Sequence, residues 1–164
     1  MAPDREALFA RLHELGIPTT TVEHPPMFTV EQSASLRAQI PGAHTKTLFL
    51  TDKDGHKVLV VAKDDTPVDL KALATRLHAG RFSFAKGELL KAVLGVAAGS
   101  VTPLALINPA AADVIVVVDA TLLNFAEVNC HPLVNTATTR LATQYLIRFI
   151  KACGHSPRIL PLGR

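Results

Sequence analysis

The chain has 164 residues, of which 48% are hydrophobic and 19% are charged, and its formal net charge at pH 7 is +3. A chain of this size fits one domain, here residues 1–164, that buries about 70% of the surface its unfolded form exposes. Its apolar stretches are far shorter than the ~20 residues that span a bilayer. The two cysteines and seven histidines form no recognised metal-binding motif. We therefore expect a cytoplasmic protein without a membrane segment, a metal or another cofactor.

Hydrophobic periodicity and turn residues divide the chain into short elements. Gly16 ends an apolar helical stripe, and Thr29 with Gln32 forms a capping box. Asp54-Gly55 predicts a hairpin between two β-rich runs. The continuous Val and Ile residues of 114–119 favour a strand buried on both faces.

These signals predict five helices and six strands in mixed order, and they mark residues 82–84 as β-prone. The predicted helices are 3–15, 29–39, 69–77, 86–94 and 143–153. The predicted strands are 19–23, 45–51, 57–63, 114–119, and the pair 125–129 and 134–138, which flanks a turn at 130–132. Because strands and helices do not alternate strictly, the pattern favours a mixed α/β fold of the α+β type over a doubly wound parallel sheet.

Lys46 interrupts the strand pattern of residues 42–50 and shares a strand face with Leu48 and Leu50. Removing an unpaired ammonium from water costs several kcal/mol, so the group must find an anion, reach a cleft or lose its proton. The alternative is that Lys46 lies at the mouth of the strand and extends to solvent. On this segment alone the two interpretations have similar weight.

The basic residues are unevenly distributed. No Asp or Glu occurs from Val128 to Arg164, and a second basic stretch runs from Lys71 to Lys91 with Glu88 as its opposing charge. Either group could bind a phosphate backbone, or could simply form a solvated surface. The groups consist of Arg140, Arg148, Lys151, Arg158 and Arg164, and of Lys71, Arg76, Arg81, Lys86 and Lys91.

Four polar or Gly/Pro segments interrupt the apolar framework, namely HPPMFT (24–29), GAHTKT (42–47), GSVTP (99–103) and CHPLVNTATT (130–139). Each alone has an ordinary explanation as a turn, a connector or a strand. Together and in this order they resemble the YbaK and prolyl-tRNA-synthetase-associated editing domains over nearly the whole chain, and 131–139 is most similar to the free-standing alanyl-tRNA(Pro) deacylases. One departure is Thr47, where that branch often has Asn.

The resemblance implies a YbaK-like single domain, with a mixed, mostly antiparallel sheet or partial barrel surrounded by helices. It implies a hydrolase acting in trans on tRNA(Pro) mischarged with alanine, with transient association with prolyl-tRNA synthetase. Cysteinyl-tRNA(Pro) or a broader set of aminoacyl-tRNAs is an alternative substrate, and a noncatalytic nucleic-acid-binding protein is an alternative of another class.

The resemblance also nominates residues for the site. Lys46, Gly99 and His131 are the catalytic candidates, with Lys46 as anchor and charge stabiliser, the Gly99–Pro103 backbone positioning water, and His131 shaping the pocket. Because a pocket that fits proline rejects alanine by only ~1–3 kcal/mol, a second site must exclude proline by its apolar walls. The substrate-binding candidates are Ile17, Phe28, Thr29, Ile40, Thr47, Ser100, Pro103, Pro132 and Asn135.

Overall fold

The computed structural model describes residues 2–26, 34–35 and 38–162. Within these ranges there are four α-helices and eight strands. The helices are α1 (Arg5–Glu14), α2 (Leu70–Arg76), α3 (Gly87–Leu94) and α4 (Thr143–Ala152). The strands are β1 (Thr20–Glu23), β2 (Ala43–Thr51), β3 (Lys57–Lys63), β4 (Ser83–Phe84), β5 (Ile115–Asp119), β6 (Glu127–Cys130), β7 (Ala137–Ala142) and β8 (Arg158–Leu160).

The strands form one mixed sheet that is not closed into a barrel. Its order is β1-β7-β6-β2-β3-β5-β8, and β4 pairs separately with β2. The pairs β1–β7, β6–β7, β2–β3 and β2–β4 are antiparallel, whereas β2–β6, β3–β5 and β5–β8 are parallel. The predicted mixed, mostly antiparallel α/β architecture is confirmed.

Apolar cores lie on both faces of the sheet. Strand β5 shows why, since Val116 and Val118 belong to a larger core that includes Leu12 and Phe149, while Val117 faces a smaller core that includes Leu73 of α2. Burial of such a side chain contributes about 1.5–3 kcal/mol. The strand predicted at 114–119 is therefore buried on both faces, as its continuous Val and Ile run indicated. We call the side of the smaller core the α2 face.

Helix α4 closes the larger core. Leu146, Phe149 and Ile150 follow the 3.6-residue helical period and are buried. The Thr143 hydroxyl donates a hydrogen bond to the carbonyl oxygen of Phe125 (2.7 Å), which fixes the start of the helix against the chain leading into β6. Gly154, at φ +93°, ends this segment in a backbone conformation that glycine adopts without strain.

Asp52 fixes the β2–β3 hairpin. Its buried carboxylate accepts hydrogen bonds from the Asp54 and His56 amides (3.1 and 2.9 Å), the His56 ring Nδ1 (2.7 Å) and the Gly80 amide (2.8 Å). Burial opposes ionisation, but the Gly80 and His56 hydrogen bonds outweigh it and lower the pKa of Asp52 to about 2. The charged carboxylate therefore joins the hairpin to the loop that follows α2.

Two details differ from the sequence-based expectation, and a third is not tested. Strand β7 is Ala137–Ala142 instead of 134–138, because the turn after β6 extends to residue 136 and Leu133 takes a positive φ of 70° within it. The short parallel edge strand β8 was not predicted, since its three residues carry too little pattern. The capping box of Thr29 and Gln32 lies outside the described residues.

Candidate active site

Strand register places Lys46 and Thr138 on the same face of the sheet. Asn129 of β6 lies opposite both His44 of β2 and Arg140 of β7. Opposite residues share a face, and side chains two residues apart along a strand share it as well. Leu50, on the same strand face as Lys46, belongs to the smaller core, so Lys46 and Thr138 both lie on the α2 face. Lys46 is two residues beyond His44, as His131 is two residues beyond Asn129, so the register directs the C-terminal end of β6 toward the part of β2 that bears Lys46.

Two histidines hold the start of β7 near this face. The His24 amide donates to the Thr136 carbonyl oxygen (2.9 Å), and His24 Nε2 is 2.8 Å from the Thr138 hydroxyl oxygen. His24 Nδ1 is 2.8 Å from the Pro25 carbonyl oxygen, which can only accept, so Nδ1 carries a proton. His24 was not nominated from the sequence, although the HPPMFT segment that begins with it was singled out. Its position before Pro25 was the available indication that this histidine belongs to the site.

His131 is half-buried in the turn between β6 and β7. Its Nδ1 donates to the Ala137 carbonyl oxygen (3.1 Å). Burial lowers the pKa of His131, the Ala137 carbonyl opposes that shift, and the nearby His24 lowers the pKa further. His131 is therefore neutral at pH 7, and because Nδ1 carries the proton, Nε2 is a hydrogen-bond acceptor.

The Gly99–Pro103 loop packs directly against this turn. A Cβ atom on Gly99 would lie 3.2 Å from the Asn135 amide nitrogen, so the exposed glycine allows a close approach to the turn. The buried Thr102 hydroxyl hydrogen-bonds the Cys130 thiol, although burial dominates and raises the pKa of Cys130 to about 12. Cys130 is thus an unreactive packing residue. The structure brings together three of the predicted site residues: Gly99, His131 and Asn135.

The edge of β2 beside Lys46 is not covered by any described strand. Strand β6 pairs with β2 at Ala43 and His44, and β4 pairs with it at Leu50 and Thr51. The Phe49 carbonyl accepts from the amide of Ala85 on the β4 side (2.9 Å), so two residues earlier the Thr47 main chain points to the same edge. The main-chain N–H and C=O groups of Thr47 are therefore placed next to Lys46, at an edge that no strand of the described residues covers.

The remaining predicted residues occupy different environments. Ile17 is 4% exposed and belongs to the larger core, whereas Ile40 is 8% exposed and belongs to neither core as formed by the described residues. Phe28 and Thr29 lie outside the described residues. Three further predicted site residues are buried in or beside the Gly99–Pro103 loop and the turn between β6 and β7: Ser100, Pro103 and Pro132.

The two basic groups also differ. In the C-terminal group, Arg140 Nε lies 3.5 Å from a Glu127 carboxylate oxygen, and the Arg148 guanidinium lies 5.5 Å from the Tyr145 ring centre. Lys71 and Arg81, by contrast, are exposed and line a groove of about 690 Å³ beside α2. Within the described part of the chain, neither of these two cations forms an ion pair. The group from Lys71 to Lys91 therefore has charge that remains open to a polyanion.

Residues 24–149 match the model of the aminoacyl-tRNA editing domain. The chain belongs to this family. Prolyl-tRNA synthetase associated domain-containing protein 1 of Danio rerio is 38% identical over 158 residues, which cover 95% of this chain and 86% of that protein. Prolyl-tRNA editing protein ProX of Acetoanaerobium sticklandii is 34% identical over 159 residues, which cover 96% and 97% of the two chains.

Solved structures support the fold of this editing domain. A scaffold protein used for computational epitope backbone grafting matches with a TM-score of 0.77 at 20% identity, covering 100% of this chain and 99% of that one. A protein provisionally described as a trans-editing enzyme for prolyl tRNA synthetase matches with a TM-score of 0.73 at 23% identity, covering 99% of each chain. The YbaK-like fold is confirmed. None of the helices in the described ranges has the length and apolar character needed to cross a bilayer.

Proposed function

We propose that this editing domain hydrolyses the ester that joins alanine to mischarged tRNA(Pro), acting in trans. Family membership and the relative named prolyl-tRNA editing protein support a role in editing. The observation that supports the chemical part is the contact between the Gly99 loop and the Asn135 turn beside a neutral His131, in the turn that follows the strand paired with β2.

The reaction needs an acceptor for a proton of water and donors for the charge that develops on the carbonyl oxygen. Water attacks the carbonyl carbon, the ester C–O bond breaks, and the ribose oxygen takes up a proton, which gives alanine and free tRNA. We assign to His131 Nε2 the role of accepting a hydrogen bond from the water or from a ribose hydroxyl, while the Gly99–Pro103 backbone positions the water.

Lys46 supplies positive charge on the same face. Its ammonium lies near enough to Asp65 to contribute, after the hydrogen bond from Lys63, to the lowered pKa of that carboxyl group. Asp65 and Lys63 already form a 2.7 Å ion pair, so Lys46 has charge to offer to a terminal phosphate or to the developing oxyanion. The main-chain N–H of Thr47 is a second donor for the developing oxyanion. This donor does not depend on the threonine side chain that stands where relatives often have Asn.

Selection against proline is assigned to size. A small pocket with rigid apolar walls admits alanine and excludes the proline ring, whereas a charged wall would discriminate poorly between these two apolar side chains. Ile40 is our candidate wall, since it is buried outside both cores. Ile17 lies within the larger core, so its role is to support the pocket from behind.

The deciding experiment is a deacylation assay with tRNA(Pro) charged separately with alanine, proline, cysteine and serine. We expect rapid loss of alanine and retention of proline. Preferential release of cysteine, or of all small residues, would favour the alternative substrates. Tight RNA binding with every ester intact after long incubation would refute the proposal and identify a noncatalytic binding protein.

A further inference from the structure

One aromatic ring is left exposed beside the basic groove. Phe84 is 61% exposed, the highest value among the four large apolar side chains that are exposed in the described ranges. The other three are aliphatic: Val22, Leu123 and Ile159. Phe82, two residues earlier, is 7% exposed and packs in the smaller core, so core packing does not require a second ring at residue 84.

Strand pairing puts Phe84 on the same face as Lys46. Phe84 lies opposite Leu50 in the antiparallel β2–β4 pair, so the two side chains share a face. Leu50 belongs to the smaller core and, by alternation, lies on the face of Lys46. Lys46 and Leu50 are four positions apart along β2, a distance of about 13 Å. Stacked nucleotides advance about 3.4 Å each and an extended strand advances further, so an unpaired base close to the terminal nucleotide can reach Phe84.

The surroundings of Phe84 favour a polyanion. Arg81 lines both the groove beside α2 and a second groove of about 640 Å³ that continues over Gly80 to Lys53 at the hairpin. Arg81 and Lys53 are exposed, and neither forms an ion pair within the described residues. Ser83, the residue before Phe84, lines this second groove with Arg81 and Lys53, so the exposed ring adjoins a surface that carries cations. This combination matches single-stranded nucleic acid, in which bases offer π-faces and phosphates offer charge.

We infer that Phe84 stacks with an unpaired base of the tRNA 3′ end when the esterified terminal nucleotide lies at Lys46. This inference rests on the proposed function and deepens it by giving the RNA portion of the substrate a contact of its own. Because every base has a π-face, the contact tolerates sequence variation and adds affinity without selecting the amino acid.

The test compares two substrates of the same chemistry. Alanyl-tRNA(Pro) carries the unpaired 3′ end, whereas the alanyl ester of adenosine carries no further nucleotide. We expect the ratio of kcat/KM for tRNA to kcat/KM for the adenosine ester to fall about tenfold or more in Phe84→Ala and Phe84→Leu, and to be retained in Phe84→Trp. Leu123→Ala, which alters a side chain that is 50% exposed, is the matched control and should leave the ratio unchanged.

The outcomes separate this inference from the proposed function. An unchanged ratio in Phe84→Ala, with active wild-type enzyme, would overturn stacking and leave the deacylase proposal intact. If the wild type hydrolyses no alanyl-tRNA(Pro), fluorescence anisotropy with uncharged RNA ending in unpaired CCA decides the point: about tenfold weaker binding by Phe84→Ala supports stacking, and equal binding overturns it. If the wild type proves to be a dimer and Phe84→Ala is a monomer with equal RNA binding, the ring belongs to an interface between copies and the stacking inference is overturned.

Discussion

Gly99→Ala tests the proposed spacing between the loop and the turn. The added methyl group would lie 3.2 Å from the Asn135 amide nitrogen, a few tenths of an ångström closer than an ordinary contact. Gly99 does not have a positive φ, so alanine fits its backbone and the stability of the protein should change by less than about 1 kcal/mol. The loop or the turn must therefore move by a few tenths of an ångström.

The expected loss of activity follows from this displacement. A misplacement of 1 Å can cost about 100-fold in rate, so a few tenths of an ångström should cost about threefold to tenfold in kcat/KM. The matched control is Gly87→Ala at the start of α3, where an added Cβ meets nothing within 4 Å. That variant should keep wild-type kcat/KM in the alanyl-tRNA(Pro) assay.

The double variant Gly99→Ala/Asn135→Ala separates crowding from other causes. If crowding is responsible, removing the Asn135 amide relieves it, and the double variant should lose less activity than the product of the two single losses. Strictly multiplicative losses would contradict the spacing argument. Wild-type kcat/KM in Gly99→Ala, with an unchanged unfolding midpoint, would refute it outright.

Three further predictions concern charge, pocket size and pH. Lys46→Ala should lower kcat/KM about 100- to 1,000-fold, as loss of one transition-state stabiliser does. The control is Lys57→Ala, which removes a lysine paired with the Asp113 carboxylate and should have no effect. Near-normal turnover of Lys46→Ala would refute the role of Lys46. Ile40→Ala should allow prolyl-tRNA(Pro) to be cleaved, and a folded variant with unchanged substrate range would show that this residue is not a wall. Because burial and His24 lower the pKa of His131, kcat/KM should stay flat as the pH falls through 6.5 and decrease only below it; His24→Gln should move that decrease to higher pH, and an unmoved profile would contradict the coupling.

The local features of the fold could be predicted from the sequence. Asp54-Gly55 indicated the hairpin, and the Val and Ile run indicated β5, because turn chemistry and burial on both faces are encoded within a few neighbouring residues. The turn after β6 was predicted too short. Leu133 adopts positive φ there, a conformation with no sequence signature in a non-glycine residue.

The arrangement of the site depends on long-range pairing, which sequence patterns do not encode. Gly99 and Asn135 were both nominated, but their contact and the pairing of β2 with three different strands emerge only in the folded chain. His24 was missed for the same reason. Its contact with Thr138 spans 114 residues and requires β1 to pair with β7.

The Asp52 hairpin has a consequence for a residue about 20 Å away along β2. A slip of β2 by one residue against β3 would exchange the two faces of the strand, moving Lys46 away from the α2 face and putting Thr47 there instead. The hydrogen bonds accepted by Asp52 fix the hairpin and prevent that slip. The face of the sheet on which Lys46 lies is therefore determined at the opposite end of the strand. Substitutions at Asp52 or Gly55 should therefore abolish activity by shifting the strand register and moving Lys46 to the wrong face of the sheet. Neither residue touches the substrate.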